Sequence, residues 1–544
     1  VWNNPIFRRY CQSRLRLRGM GLALLLTVLV AGFIVAMVTS IGVRSTMTAA
    51  DAARNGIIPL LVIQGLILFA LGTAQVAGGM TAERDEGVID YQRLLPLSPL
   101  TKVVGYLFGL PVREYLMVLV TLPFTGWCLW RGQVAWQVWL PLYVAFFSST
   151  LLYHLTGLVT GTVVRNRRWA FLISIGLVFS LYTVVPQMAR FGLVFFKYLT
   201  ISPVFQESLP DLLPASIGAA GKAVRQLFPT VRFFNLDFSE VVFTLFSQGG
   251  LILTFVIMLC RRWHRAESHL LGKIWATGLF IWIQILLLGN ALPLIEPGDL
   301  FPTREFFRLT RLGHDWQPQP AEAVAMSGLY GVVTLGLIYV LGGLITPSAD
   351  HQLQGWRRAR KQGRAAIPRL ADAATGCGFT LVMALAGAAG WYGFTRALVE
   401  SSWFGQPLPL PVLGYFVAVM VAGGMGFQAL LEWKGGRVLG LMAILVGVVP
   451  LMTGAVLSVI SERLYPVGAW LVGISPISLP FYASGSLLPI AELPASVARA
   501  VPRAFEFWLL VSGLVTLWLV KNLWQRRRAI ARSMLEPAGD RAEL

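Results

Sequence analysis

The chain has 544 residues, of which 56% are hydrophobic and only 13% charged, and its formal net charge is +19. Soluble domains carry about 25% charged residues, so the composition excludes an ordinary water-soluble fold and predicts an all-α polytopic transmembrane helix bundle. In such a protein the surplus Lys and Arg gathers on cytoplasmic loops and sets orientation, so the charge does not argue for a nucleic-acid partner. The four cysteines, Cys11, Cys128, Cys260 and Cys377, contain no C-x-x-C pair, which argues against a metal site and against a disulfide framework.

Residues 5–18 are basic and partly amphipathic, with Ile6, Phe7, Tyr10, Cys11 and Leu15 set against Arg8, Arg9, Arg14, Arg16 and Arg18. They are expected either to lie in the membrane interface, apolar side toward lipid, or to act as a plain positive-inside flank; both place the N-terminus inside. The apolar run after them is too long for a signal-peptide core and is expected to remain as a span. A spanning helix needs about 20 mostly apolar residues. That predicts a first membrane half, 20–273, with spans near 20–42, 57–80, 103–126, 138–164, 169–187 and 241–260.

With the N-terminus inside, the inner loops 81–102, 165–168 and 261–273 carry Arg84, Arg93, Lys102, Arg165, Arg167, Arg168, Arg261, Arg262, Arg265 and Lys273, in accord with the positive-inside rule. Trp127, Trp130, Trp136 and Trp139 fall at the outer ends of the third and fourth spans, as an aromatic belt would. The stretch 188–240 is an external insert with a helix-capable piece at 215–228. A second half, 274–520, predicts spans near 274–295, 326–346, 374–395, 411–431, 438–460 and 503–520, with a basic inner loop at 347–373. Residues 461–502 read as an external or re-entrant insert, because Pro476, Pro480 and nearby glycines interrupt the apolar run 466–488. A basic tail, 521–544, ends the chain inside. The expected architecture is therefore about 12 spans in two six-span halves, with both termini cytoplasmic.

One charged segment lies between two of these runs: TAERDEGVIDYQRLLPLSPLTKVVGYLFGLP, Thr81 to Pro111. Glu83, Arg84, Gly87, Leu94, Leu95, Pro96, Ser98 and Gly105 fit the pattern E-R-E-x-G-T-L, L-L-x-x-P-x-S, then G-K. Asp85, Val88 and Ile89 are mild replacements, and Tyr106 stands where lysine is usual. The segment resembles the first cytoplasmic loop of ABC-2 type permeases, the membrane subunits of ATP-binding-cassette transporters. Thr346-Pro347-Ser348 and the arginines after it are similar to a loop of long members of that family.

The resemblance implies that residues 1–19 form an interfacial elbow helix and that 81–102 is the element coupling the permease to its ATPase. The coupling residues would be Glu83, Arg84, Asp85, Glu86, Gly87, Leu94, Leu95, Pro96 and Ser98. It also implies an ABC-type ATPase subunit as partner, holding ATP and Mg, together with export, a bacterial inner membrane, and a second permease copy if one chain does not complete the pore.

Nothing in the chain suggests catalysis of its own. Gly221-Lys222-Ala223 and Gly272-Lys273-Ile274 lack the Walker A context, and the five histidines show no metal-ligand spacing. Polar residues inside spans mark either a pathway or interhelical packing; here they are Arg113, Glu114, His154, Gln64 and Gln75. Gly78-Gly79 and Gly423-Gly424 suggest close helix contact. Two other classes compete. A secondary transporter of the major facilitator type shares the span count, but its long central loop is cytoplasmic and a basic pair comes after its loop glycine. A membrane-embedded transferase would need a site, for which Asp299–Asp315 is polar enough but shows no recognisable constellation.

Overall fold

The computed structural model describes residues 2–44, 47–164, 166–214, 231–265, 267–304, 316–487 and 494–535. Arg165, the piece 215–228, the pair Gly221-Lys222, His314 and most of Asp299–Asp315 lie outside the described residues. Among those described, eleven helices are long and apolar enough to cross a membrane: Gly19–Gly42, Ala49–Asp85, Trp136–Val163, Arg167–Arg190, Glu240–His264, Lys273–Leu294, Pro320–Ile345, Cys377–Val399, Pro411–Lys434, Gly436–Ile460 and Ala495–Met534. A twelfth is formed if the pair Pro99–Gly109 and Val112–Arg131, bent by 55°, counts as one. The chain is thus an all-α, multi-pass helix bundle.

Two expectations change. The third apolar run does not make one straight helix but breaks at Leu110-Pro111. Pro111 has no amide hydrogen to donate and its ring crowds the preceding turn, the usual cause of a sharp kink. The last run is continuous with the tail in a single 41-residue helix, Ala495–Leu535, so the insert expected at 461–502 ends earlier and the tail expected at 521–544 begins as helix. The run 466–488 is interrupted as expected: it holds two short helices, Tyr465–Val472 and Leu479–Gly485, separated around Pro476.

The chain divides into two compact units: Val1–Ala189, Phe195–Arg232 and Leu236–Ala266 form the first, and Arg190–Val194, Phe233–Asn235 and Glu267–Leu544 the second. In the first unit the helix Gly19–Gly42 turns most of its apolar residues outward, among them Leu22, Leu26, Leu29 and Phe33, as a lipid-facing helix should. The core lies deeper, where Leu60, Leu68 and Phe69 pack with Leu142, Phe146 and Tyr153.

Glycines set how closely these helices approach. A Cβ on Gly157 or Gly161 of Trp136–Val163 would lie 2.8 Å from the Thr73 carbonyl or 2.7 Å from that of Ala77, so the two backbones meet directly, the packing that small residues permit between membrane helices. Gly79 likewise has the Leu110 side chain 2.5 Å from its would-be Cβ.

In the second unit Trp391, fully buried, stacks on Phe416 with ring centroids 3.7 Å apart. Leu335 and Ile338 close on Gly423 and Gly424. Each unit therefore has a close-contact position within a glycine pair of the sequence.

Candidate functional site

The helix Ala49–Asp85 ends where its last carbonyls meet a left-handed glycine. Gly87 has φ 73° and donates its amide to the Arg84 carbonyl, a helix stop that a side chain would disfavour. The chain then forms the short helix Val88–Leu94.

The Glu83 side chain points back into the protein. Its Oε1 accepts from the Tyr10 hydroxyl at 2.7 Å and from Arg9, and its Oε2 accepts from the Tyr106 hydroxyl at 2.8 Å. Burial first, and the Glu83 charge second, push the Tyr10 hydroxyl well above its usual range, so it stays a donor.

Tyr10 belongs to the helix Pro5–Arg14, whose Ile6 and Tyr10 are buried at 2% and 5% exposure. The expectation that they face lipid is corrected here. They fill a groove left by Gly105 and Gly109, where a Cβ would come within 2.9 Å of Ile6 and 2.6 Å of Tyr10. Burying these two residues against protein satisfies their apolar surface as lipid would, and the hydroxyl gains a carboxylate.

Arg84 is also turned inward. Its guanidinium donates to the carbonyls of Gly161, Thr162 and Val164 at 3.3, 3.2 and 2.7 Å. Those are carbonyls at the end of Trp136–Val163, which have no partner within their own helix. Glu83 and Arg84 thus brace the fold. Ser98 caps the helix Pro99–Gly109 by accepting from the Thr101 amide at 3.1 Å. Arg14 donates to the carbonyl of Leu110, freed at the kink, at 2.6 Å.

A different subset faces outward. Asp85, Glu86, Gly87, Pro96 and Ser98 are exposed or half-buried, and the short helix carries Tyr91 and Leu94 at 67% and 82% exposure. On its opposite side Ile89 and Gln92 are buried. The i, i+3 spacing of each pair gives the seven-residue helix one inner and one outer face. Its C-terminal end is held by Lys102, whose buried Nζ donates to the carbonyls of Arg93 and Leu95 at 3.3 and 3.2 Å. Two large apolar side chains on a firmly seated, solvent-facing helix suit protein docking better than chemistry.

Of the polar residues expected inside spans, His154 and Gln64 bond to neighbouring helices. Fully buried His154 puts Nε2 2.9 Å from the Leu68 carbonyl and Nδ1 2.9 Å from the Tyr115 hydroxyl. A carbonyl only accepts, so Nε2 carries the hydrogen and Nδ1 of the neutral ring accepts from tyrosine. Leu68 lies in the π-helical turn Leu66–Gly72, and Gly72 makes room for the ring.

Gln64 donates to Thr121 and Thr125 and accepts from Tyr143. Arg113 and Glu114 sit in the first turn after the kink, 3.6 Å apart, with Glu114 2% exposed and Arg113 43%. A carboxylate there faces the positive end of its helix. His154 bonds to Leu68 and Tyr115, and Glu114 pairs with Arg113, whereas Glu83 bonds to Arg9, Tyr10 and Tyr106. The residues picked out from the sequence thus have different hydrogen-bond partners, and the Arg14 guanidinium lies over the Tyr10 ring beside the kink.

Reasoning from the pattern missed Tyr10, Tyr106 and Tyr91. The signal for Tyr106 was present as the departure from lysine next to Gly105. For Tyr10 it was the i, i+4 pairing with Ile6 on one face of the first helix.

The second unit carries a related cluster. Glu432, near the end of Pro411–Lys434, accepts from Arg527, from Gln352 at 3.1 Å and from Thr375 at 3.2 Å. Gln352 lies on the basic helix Ala349–Lys361, which exposes Arg358, Arg360 and Lys361. Buried Lys273 ties down the later loop 369–374 through the carbonyls of Arg369, Ala371 and Ala374. Among the described residues no group of His, Cys, Asp and Glu could hold a metal ion.

The chain matches no family model, no curated protein and no solved structure.

Proposed function

We propose that this chain is the membrane-embedded permease of an ABC-2 type transporter, moving its substrate outward at the expense of ATP hydrolysed by a separate ATP-binding-cassette ATPase. ATP and Mg2+ belong to that partner. In this reading the chain sits in a bacterial inner membrane as two six-span halves with both termini cytoplasmic, and Val88–Leu94 is the coupling helix.

The observation that carries the reading is the seating of that helix. Tyr91 and Leu94 project into solvent, while Gly87, Lys102 and buried Ile89 hold the helix at its ends and beneath. A rigid apolar knob suits insertion into a groove of a partner. Motion of the partner would pass through Glu83 to the helices Pro5–Arg14 and Pro99–Gly109, and through Arg84 to Trp136–Val163. The 55° break at Pro111 is the place where the membrane part can take up that displacement.

The test is co-purification of an ATP-binding-cassette ATPase with the chain in mild detergent. Tyr91→Ala and Leu94→Ala are the variants of choice, because Glu83 and Arg84 also brace the fold. An exposed anchor residue is worth about 1–2 kcal/mol or more at an interface, so each variant is expected to weaken capture roughly tenfold with unchanged thermal unfolding. Equal capture of the ATPase by wild type and the double variant, or no capture by folded wild type, would overturn the reading.

A further inference from the structure

We infer that the cavity beneath the helix Val88–Leu94 binds a phosphate group. It has a volume of about 50 Å³, and its lining includes Arg84, Arg93, Arg262, Asp90, Ile89 and Trp263. Arg84, whose guanidinium donates to the carbonyls of Gly161, Thr162 and Val164, adds its charge beside this small space, Arg93 and Arg262 line it too, and the single carboxylate, Asp90, already accepts from Arg93. The Arg93 Nε is buried with no hydrogen-bond partner. A buried guanidinium N–H without an acceptor is costly, and a tetrahedral oxyanion is the acceptor that converging guanidinium groups take best.

Size agrees with this chemistry. One water needs about 10–15 Å³ of such space, so the cavity has room for one compact oxyanion. Location agrees as well. The lining comes from the last turns of Ala49–Asp85, Trp136–Val163 and Glu240–His264 together with the short helix. The ends of membrane helices are where lipid headgroups lie, and basic pockets between such ends take anionic headgroups.

A phosphate here joins Arg93 of the short helix to Arg262 of Glu240–His264, so its occupancy stiffens the helix that presents Tyr91 and Leu94. The site stands on its own lining residues and does not require the ATPase.

Two sources share this chemistry, a headgroup phosphate and free inorganic phosphate. The delipidated full chain is held in dodecyl maltoside micelles, which carry no phosphate, either alone, with added phosphatidylglycerol, or with inorganic phosphate in the buffer. Hydrogen exchange is read over 88–94. Slower exchange with phosphatidylglycerol identifies a lipid headgroup, and slower exchange with inorganic phosphate identifies the free anion.

Native mass spectrometry of Arg93→Gln and Arg262→Gln is expected to show retention of the bound anion roughly tenfold weaker than wild type, the loss of about one charge-assisted hydrogen bond. Should either variant fail to fold, the exchange measurement on wild type decides. Exchange that is the same in all three preparations overturns the proposal, as does equal anion retention by folded variants.

Discussion

Glu83 in the first unit and Glu432 in the second are the same device put to different ends. Each is an acid near the C-terminus of a membrane helix, and each accepts from three side chains of other segments. Glu83 gathers an N-terminal amphipathic helix through Arg9 and Tyr10, and Glu432 gathers a basic amphipathic helix and the C-terminal helix through Gln352 and Arg527. The two acids lead into different turns. After Glu83, Gly87 turns the backbone into a short helix with an exposed apolar face. After Glu432, Gly435, with φ 85°, turns it directly into the next membrane helix, Gly436–Ile460. A buried carboxylate can therefore anchor peripheral helices in both units, while the projecting knob described here belongs to the first.

The likeness of the two acids is most open to test at Glu432, whose side chain is 0% accessible. Removing one partner of a buried ion pair costs about 3–5 kcal/mol, so Glu432→Ala is expected to give the largest fall in thermal stability in detergent. A variant that melts with wild type would deny Glu432 its anchoring role. Glu83 is less enclosed, with 14% side-chain exposure, and Arg9 at 40% can return to water. Glu83→Ala is therefore expected to cost less, about 2 kcal/mol, in the same melting assay.

The two turns separate next. Gly435 combines φ 85° with ψ 176°, a region almost closed to other residues, so Gly435→Ala should cost about 1–3 kcal/mol. Gly87, with φ 73° and nothing near its would-be Cβ, occupies the ordinary left-handed region, and Gly87→Ala should cost about 1 kcal/mol. Reversal of that order in a denaturation series would show that the turn after Glu83 carries more strain than its backbone angles imply. The smallest effect belongs to the knob. Tyr91→Ala and Leu94→Ala should leave melting within about 0.5 kcal/mol of wild type; a larger loss would mean that this face is buried and not presented.

The membrane helices were legible in local sequence. Run length and apolarity are local properties, and a bilayer imposes one length on every crossing segment, so each expected span corresponds to a membrane helix or to the bent pair. The sequence also contained the kink, since Pro111 is in plain view, although a proline within an apolar run is tolerated often enough in membrane helices to be read as part of a straight one.

Tertiary structure alone decided which of the charged residues at 81–98 face inward. The Glu83 carboxylate meets a tyrosine 73 positions away and another 23 away, and Arg84 meets a carbonyl 80 positions on. No local pattern encodes those distances. They depend on glycines at 105, 109, 157 and 161 that let particular backbones close up. Once they have closed, a buried charge must find its hydrogen-bond partners there, and only the residues left over, Tyr91 and Leu94 among them, are free to meet another molecule.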